Sequence, residues 1–220
     1  MADRHNEPVV VIGLGRFGGA IAQELTRRGT EVLAIDQSPK LVQSLSGQLT
    51  RVVAADCTDA DTLRELAVDE FYRGVVAVGT DIEASILITS LLVELEVNDI
   101  WAKAVSAHHG RILERVGAHH VVFPELEAGQ RVAHLVSGQV LDYLQVDDDF
   151  AIAKVRPPRA FVGVPLGETQ LRSKYRVTVV AVKSVGQEFT YAAADTVLSY
   201  DDVVLISGRV HDLDRVVNLL

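Results

Sequence analysis

Four consecutive apolar residues, Val9-Val10-Val11-Ile12, run straight into Gly13-Leu14-Gly15-Arg16-Phe17-Gly18-Gly19. A short, wholly apolar run is the pattern of a strand buried on both faces. Gly13-x-Gly15-x-x-Gly18 directly after it predicts a tight turn into a helix spanning Phe17 to Arg28. In that reading Gly13 permits the turn, Gly15 lets the backbone approach a phosphate, and Gly18 lets the helix pack on the strand. The helix would aim unpaired N–H groups and its positive dipole end at an anion. Tight strand-to-helix packing alone can also select three glycines; the strand before and the helix after favour a nucleotide site.

The alternation of strand and helix then repeats. Strands are expected at 31–35, 51–55, 74–78, 100–104 and 120–123, with helices at 40–47, 60–66, 82–96 and 108–116 between them. The long helix at 82–96 is expected to bury Ile86, Thr89, Ser90 and Val93. Six short apolar strands alternating with helices imply an α/β fold: a six-stranded parallel Rossmann sheet with crossover helices on both faces.

In such a sheet, ligands bind outside the carboxyl ends of the strands. Asp36 ends the second strand about 20 residues after the glycines, where a carboxylate accepts ribose hydroxyls and repels a 2′-phosphate. The alternative is that it merely ends a strand before Ser38-Pro39 begin a helix. Asp56-Cys57-Thr58 and Gly79-Thr80-Asp81 follow the third and fourth strands, and Lys103 lies in the fifth. Asp56 or Thr58 could bond an adenine edge and Gly79 could let a base lie flat, although Asp56 and Asp81 are also ordinary helix caps. Cys57 reads as a packing residue with no base beside it. Arg16 stands within the glycine loop, where backbone N–H groups already suffice for two bridging phosphates. Its guanidinium suits a third, terminal phosphate, or else is simply solvated. Gly13, Gly15, Arg16, Phe17, Gly18, Asp36, Ser38, Asp56, Cys57, Thr58, Gly79, Thr80, Asp81 and Lys103 form the candidate nucleotide-binding set.

Beyond the sixth strand a helical pattern is expected over 125–144, ended by Asp147-Asp148-Asp149, a solvated turn taken as the domain boundary. The first domain is thus residues 1–146 and the second 147–220. The second shows strands at 150–155, 177–182, 189–192 and 203–206, a short helix at 169–173 and a final helix at 210–219. This is a small α+β lobe.

A formal net charge of −9 argues against sequence-independent binding of nucleic acid, whose phosphates require a basic surface. With Cys57 the only cysteine, no intrachain disulfide is available, which suits a reducing cytosol. No stretch approaches the roughly 20 apolar residues that cross a bilayer, and Met1 to Glu7 is polar without a signal-peptide core. A soluble protein that meets a membrane only through a partner is expected. A dehydrogenase would need an acid–base group above the sheet, yet the second lobe offers one histidine, His211. His108-His109 and His119-His120 lack the spacing of helical metal ligands and read as surface or helix-end residues. The chain has a nucleotide cradle without evident machinery to turn a nucleotide over.

Several segments together resemble a known family. Val11 to Gly19, with Arg16-Phe17 inside the glycine motif, is one; Glu31-Val32-Leu33-Ala34 leading to Asp36 and Ile100-Trp101-Ala102-Lys103-Ala104 are others. Leu113-Glu114-Arg115-Val116-Gly117-Ala118, Pro124-Glu125 and Arg172-x-Lys174-Tyr175 complete the set. From Val9 onward the chain resembles the KtrA/TrkA-type regulatory subunits of bacterial potassium uptake systems, with an RCK N-terminal and an RCK C-terminal domain. The resemblance implies a cytoplasmic homo-octameric ring, built from dimers, beneath a membrane pore subunit of the KtrB/TrkH type. ATP and ADP would hold different ring shapes, with Arg16 on the γ-phosphate, Asp36 on the ribose, and 56–58 and 79–81 bordering the adenosine. Lys103 would be a further basic contact, and Glu125 would hold magnesium or another divalent cation near the phosphates between subunits. Asp56 departs from an asparagine frequent in the family. Cyclic di-AMP, bound by some relatives between paired C-terminal lobes, has a counterpart here only at Arg172, near Pro165-Leu166-Gly167-Glu168. An NAD(H)-responsive module of the same kind is the alternative, and a small NAD-dependent oxidoreductase a further one.

Overall fold

A computed structural model describes residues 7–136 and 140–219. Strand β1, Val9–Ile12, is buried along its whole length, and its side chains alternate between two cores. Val9 and Val11 join Val32, Ala34 and Ala22 on one face, whereas Val10 and Ile12 join Leu33, Ile35, Leu92 and Ile100 on the other. Helix α1, Arg16–Arg27, returns the chain to β2, Val32–Asp36, and α2, Pro39–Leu45, leads to β3, Arg51–Ala54. The chain continues through α3, Ala60–Glu65, to β4, Arg73–Val76, then through α4, Ile82–Glu94, to β5, Asp99–Lys103. Helix α5, Ala107–Val116, precedes the sixth strand, β6, His120–Val122. All pairings are parallel and the order is β3-β2-β1-β4-β5-β6, so the expected Rossmann sheet is present.

The remainder is a second compact unit. Helix α6, Pro124–Val136, is followed by β7, Asp142–Asp147, and β8, Phe150–Val155. Then come α7, Leu171–Tyr175, β9, Thr178–Lys183, β10, Thr190–Tyr191, β11, Val203–Arg209, and α8, Val210–Val217. Its five-stranded sheet has the order β10-β9-β11-β8-β7 with antiparallel pairings. Val204, Ile206, Leu213, Val216 and Phe161 lie in its core. This is the α+β lobe that the segment pattern implies.

Three expectations need correction. The units divide after Glu125, not after residue 146, and Asp148 and Asp149 form the turn of the β7–β8 hairpin inside the second unit. The helix expected over 125–144 is described over Pro124–Val136, and Asp142–Asp147 is a strand because cross-strand pairing with β8 outweighs its local helical pattern. The stretch 137–139 of that expectation lies outside the described residues. The buried stripe of α4 is Ala84, Ser85, Ile88, Thr89, Leu91 and Leu92; Ile86 and Ser90 are only partly buried and Val93 is exposed. Apolar side chains surround this helix on nearly every side, so its sequence gives little direction and the sheet selects the face.

Candidate functional site

The crevice lies where strand order reverses, between β1 and β4, both of which end against the glycine loop. Gly13 has φ +92, a conformation a side chain resists, and the backbone of Ala77 and Val78 lies about 3.0–3.1 Å from where its Cβ would be. At Gly18 a Cβ would collide with the Gly13 carbonyl oxygen. Fold geometry therefore explains both glycines. Gly15 is different: its φ of −60 suits any residue, and a Cβ there would meet nothing within 4 Å. The open space lies over the start of α1.

Helix starts sharpen the contrast. Ser38 accepts the Leu41 N–H, Asp59 the Thr62 N–H, Asp81 the Ala84 N–H and Ser106 the His109 N–H, so α2 to α5 each begin on their own side-chain cap. Helix α1 begins on Gly15 with no side-chain cap. Its first N–H groups, together with the helix dipole, are suited to an anion from outside the chain.

The other candidates surround this opening to different degrees. Asp36 Oδ2 accepts the Leu14 N–H at 2.7 Å and Oδ1 the Ser38 N–H at 2.8 Å, which fixes the carboxylate at the rim. Each oxygen keeps a further lone pair, so ribose hydroxyls can still be accepted. Asp56 accepts from the Thr58 N–H and hydroxyl and from Gln37; the Thr58 bonds hold its carboxyl below the usual range. Neither Asp56 nor Thr58 caps a helix; that work at α3 falls to Asp59. Cys57 is buried, and burial followed by the charge of Asp56 pushes its thiol up to about 12, which suits packing and not nucleophilic chemistry. Asp81 is committed to the cap of α4, while Thr80 is exposed beside it and Gly79 is half-buried. Phe17 is half-buried and Arg16 exposed, in the first turn of α1.

Lys103 and Glu125 meet. The ammonium lies 2.6 Å from Glu125 Oε1, 5.9 Å from the centre of the Phe17 ring, and 3.1 Å from where a Gly79 Cβ would stand. The hydrogen bond from Lys103 first, with the Lys103 and Arg16 charges adding to it, keeps the Glu125 carboxyl below the usual glutamate range. The sequence pattern places both residues but cannot pair them. Nor does Glu125 make a cation centre alone: it is one carboxylate already paired with an ammonium. Among the described residues no three His, Cys, Asp or Glu side chains converge on a point. The donor set of one chain does not fit a divalent cation.

The histidines divide. His108, His119 and His120 are exposed, but His109 is buried, accepting the Val105 N–H at its Nδ1, and burial pushes its pKa down. His109 is thus no surface residue, but it lies in the first turn of α5, the helix-end half of the expectation. In the second unit, Arg172 donates to the Thr178 hydroxyl at 3.2 Å and borders a shallow cavity with Leu166, Gly167, Gln170 and Ala192 to Ala194. Among the described residues no helix is long and apolar enough to cross a membrane.

Comparison with known proteins likewise finds two domains. Residues 9–124 match the TrkA-N domain and residues 150–220 the TrkA-C domain. The chain is 35% identical to Ktr system potassium uptake protein A of Bacillus subtilis over 97% of its own length and 96% of that protein. It is also 35% identical to Ktr system potassium uptake protein C of that organism, over 93% of each. Among solved structures, the GsuK channel bound to NAD shares the fold at a TM-score of 0.65 and 18% identity, over 99% of this chain. This chain spans 40% of that channel's length. The chain belongs to the family of Ktr and Trk potassium uptake proteins that join a TrkA-N domain to a TrkA-C domain.

Proposed function

We infer that this chain is the nucleotide-sensing regulatory subunit of a potassium uptake system, and that ATP and ADP are its opposing ligands. The carrying observation is the start of α1, the one start among α1 to α5 without a side-chain cap, with open space over Gly15. Phosphates would take the free N–H groups, Asp36 the ribose, and the ends of β3 and β4 would border the adenosine. Arg16 is exposed in the same turn and extends the site by one phosphate, which it can grip with two parallel hydrogen bonds.

A switch requires that one phosphate bind two conformations unequally, because equal affinity shifts nothing. Family membership supports a membrane pore subunit as the partner, through which the chain would act at the cytoplasmic face. A homo-octameric ring built of dimers is the assembly in which such a difference would be read out. Cyclic di-AMP at Arg172 in the second unit has weaker support, since this side chain is engaged by Thr178.

The test is thermal stabilisation by ATP, ADP, adenosine and NADH, since a ligand that binds only the native state raises stability. Arg16→Ala is expected to reduce the preference for ATP over ADP by roughly tenfold, as a hydrogen bond to a charged group contributes about 1.5–3 kcal/mol. Adenosine binding should not change. An Arg16→Ala protein that still separates ATP from ADP as wild type does would refute the role given to Arg16. Stronger stabilisation by NADH than by ATP would favour the second reading, an NAD(H)-responsive module, which the Asp36 carboxylate also suits.

A further inference from the structure

Lys103, a candidate phosphate contact, is bound in this structure to a partner outside the crevice set. Its side chain is 12% exposed, held by the end of β5 against Gly79 of the β4 loop and the Phe17 ring of α1. Its partner Glu125 is the second residue of α6, the helix through which the chain leaves the parallel-sheet unit, and its side chain is 65% exposed. The ammonium is thus fixed by packing, while the carboxylate is held by little besides the ammonium. Arg16, the other cation whose charge reaches Glu125, belongs to the proposed phosphate site.

We propose that Lys103 is a positioning residue shared between the crevice and α6, with nucleotide phosphate and the Glu125 carboxylate competing for its ammonium. The proposal rests on the nucleotide reading above. Without nucleotide, Glu125 occupies Lys103 and the first turn of α6 is tied to the end of β5. A phosphate entering over Gly15 brings negative charge to the same cluster and draws Lys103 away from Glu125. The carboxylate is then free, and α6 loses its tie at the point where the chain passes into the second unit.

Competition has a signature that a merely structural ion pair lacks. With divalent cations chelated, Glu125→Gln is expected to tighten ATP and ADP binding roughly two- to fivefold, the range for a partly exposed ion pair. Adenosine, which has no phosphate, should bind as before. In Lys103→Met, which keeps the packed aliphatic stem, the Glu125→Gln effect should vanish. Hydrogen exchange at the first turn of α6 should quicken when wild type binds ATP, and should be fast with or without ATP in Glu125→Gln. Equal tightening of adenosine, unchanged or weaker ATP binding in Glu125→Gln, or a gain that persists in Lys103→Met would each overturn the proposal. Should Lys103→Met not fold, the comparison of ATP with adenosine in Glu125→Gln decides it alone. If wild type binds none of these nucleotides, the reading of the crevice fails, and this proposal fails with it. If wild type binds them but the competition is absent, the crevice reading survives.

Discussion

Helices α2 to α5 and helix α1 begin in opposite ways. The first four start on Ser38, Asp59, Asp81 and Ser106, each accepting a backbone N–H from the first turn. Helix α1 starts on a glycine with no side-chain cap and open space above it. Within the parallel-sheet unit, the start of α1 is thus the one whose first N–H groups are left without a side-chain acceptor, as an anion site requires. The same logic separates the glycines of the motif: Gly13 and Gly18 are required by the fold, and Gly15 is not.

Substitution at Gly18 should break the comparison most severely. Gly18→Ala forces a methyl group into the Gly13 carbonyl, an overpacking expected to cost about 3 kcal/mol in denaturant unfolding. Gly15→Ala should do the reverse, leaving stability within about 0.5 kcal/mol while weakening ATP at least tenfold by filling the phosphate space. If Gly15→Ala instead destabilised the protein and bound ATP normally, the contrast between the glycines would collapse. Ser106→Ala tests the capped group: a loss of about 1 kcal/mol in thermal unfolding with no change in ATP affinity.

The smallest expected effect is on pH. The Lys103 hydrogen bond depresses the Glu125 pKa in the folded state, so the pair's contribution is complete above the ordinary glutamate value. It is lost as pH falls below the ordinary glutamate value and through the depressed one. Carbon-13 titration of the Glu125 carboxyl should show this shift, and Lys103→Met should return it towards the ordinary value.

Much of the parallel-sheet unit was legible because its signals are local. An all-apolar run, a glycine spacing or a serine before a proline acts within a few residues, and β1, the loop and the cap of α2 follow. Strand β7 was not legible, since Asp142–Asp147 becomes a strand only by pairing with β8. Nor was the buried face of α4, whose apolar residues surround the helix.

The sequence by itself determined the Rossmann unit, the α+β lobe and the glycine turn, because periodicity and backbone stereochemistry are written residue by residue. Only the tertiary structure decided that α1 alone among α1 to α5 lacks a cap, that the units divide after Glu125, and that Lys103 faces that carboxylate. Those facts depend on which surfaces remain unsatisfied once distant segments have packed, and no local pattern records what a partner many residues away will cover.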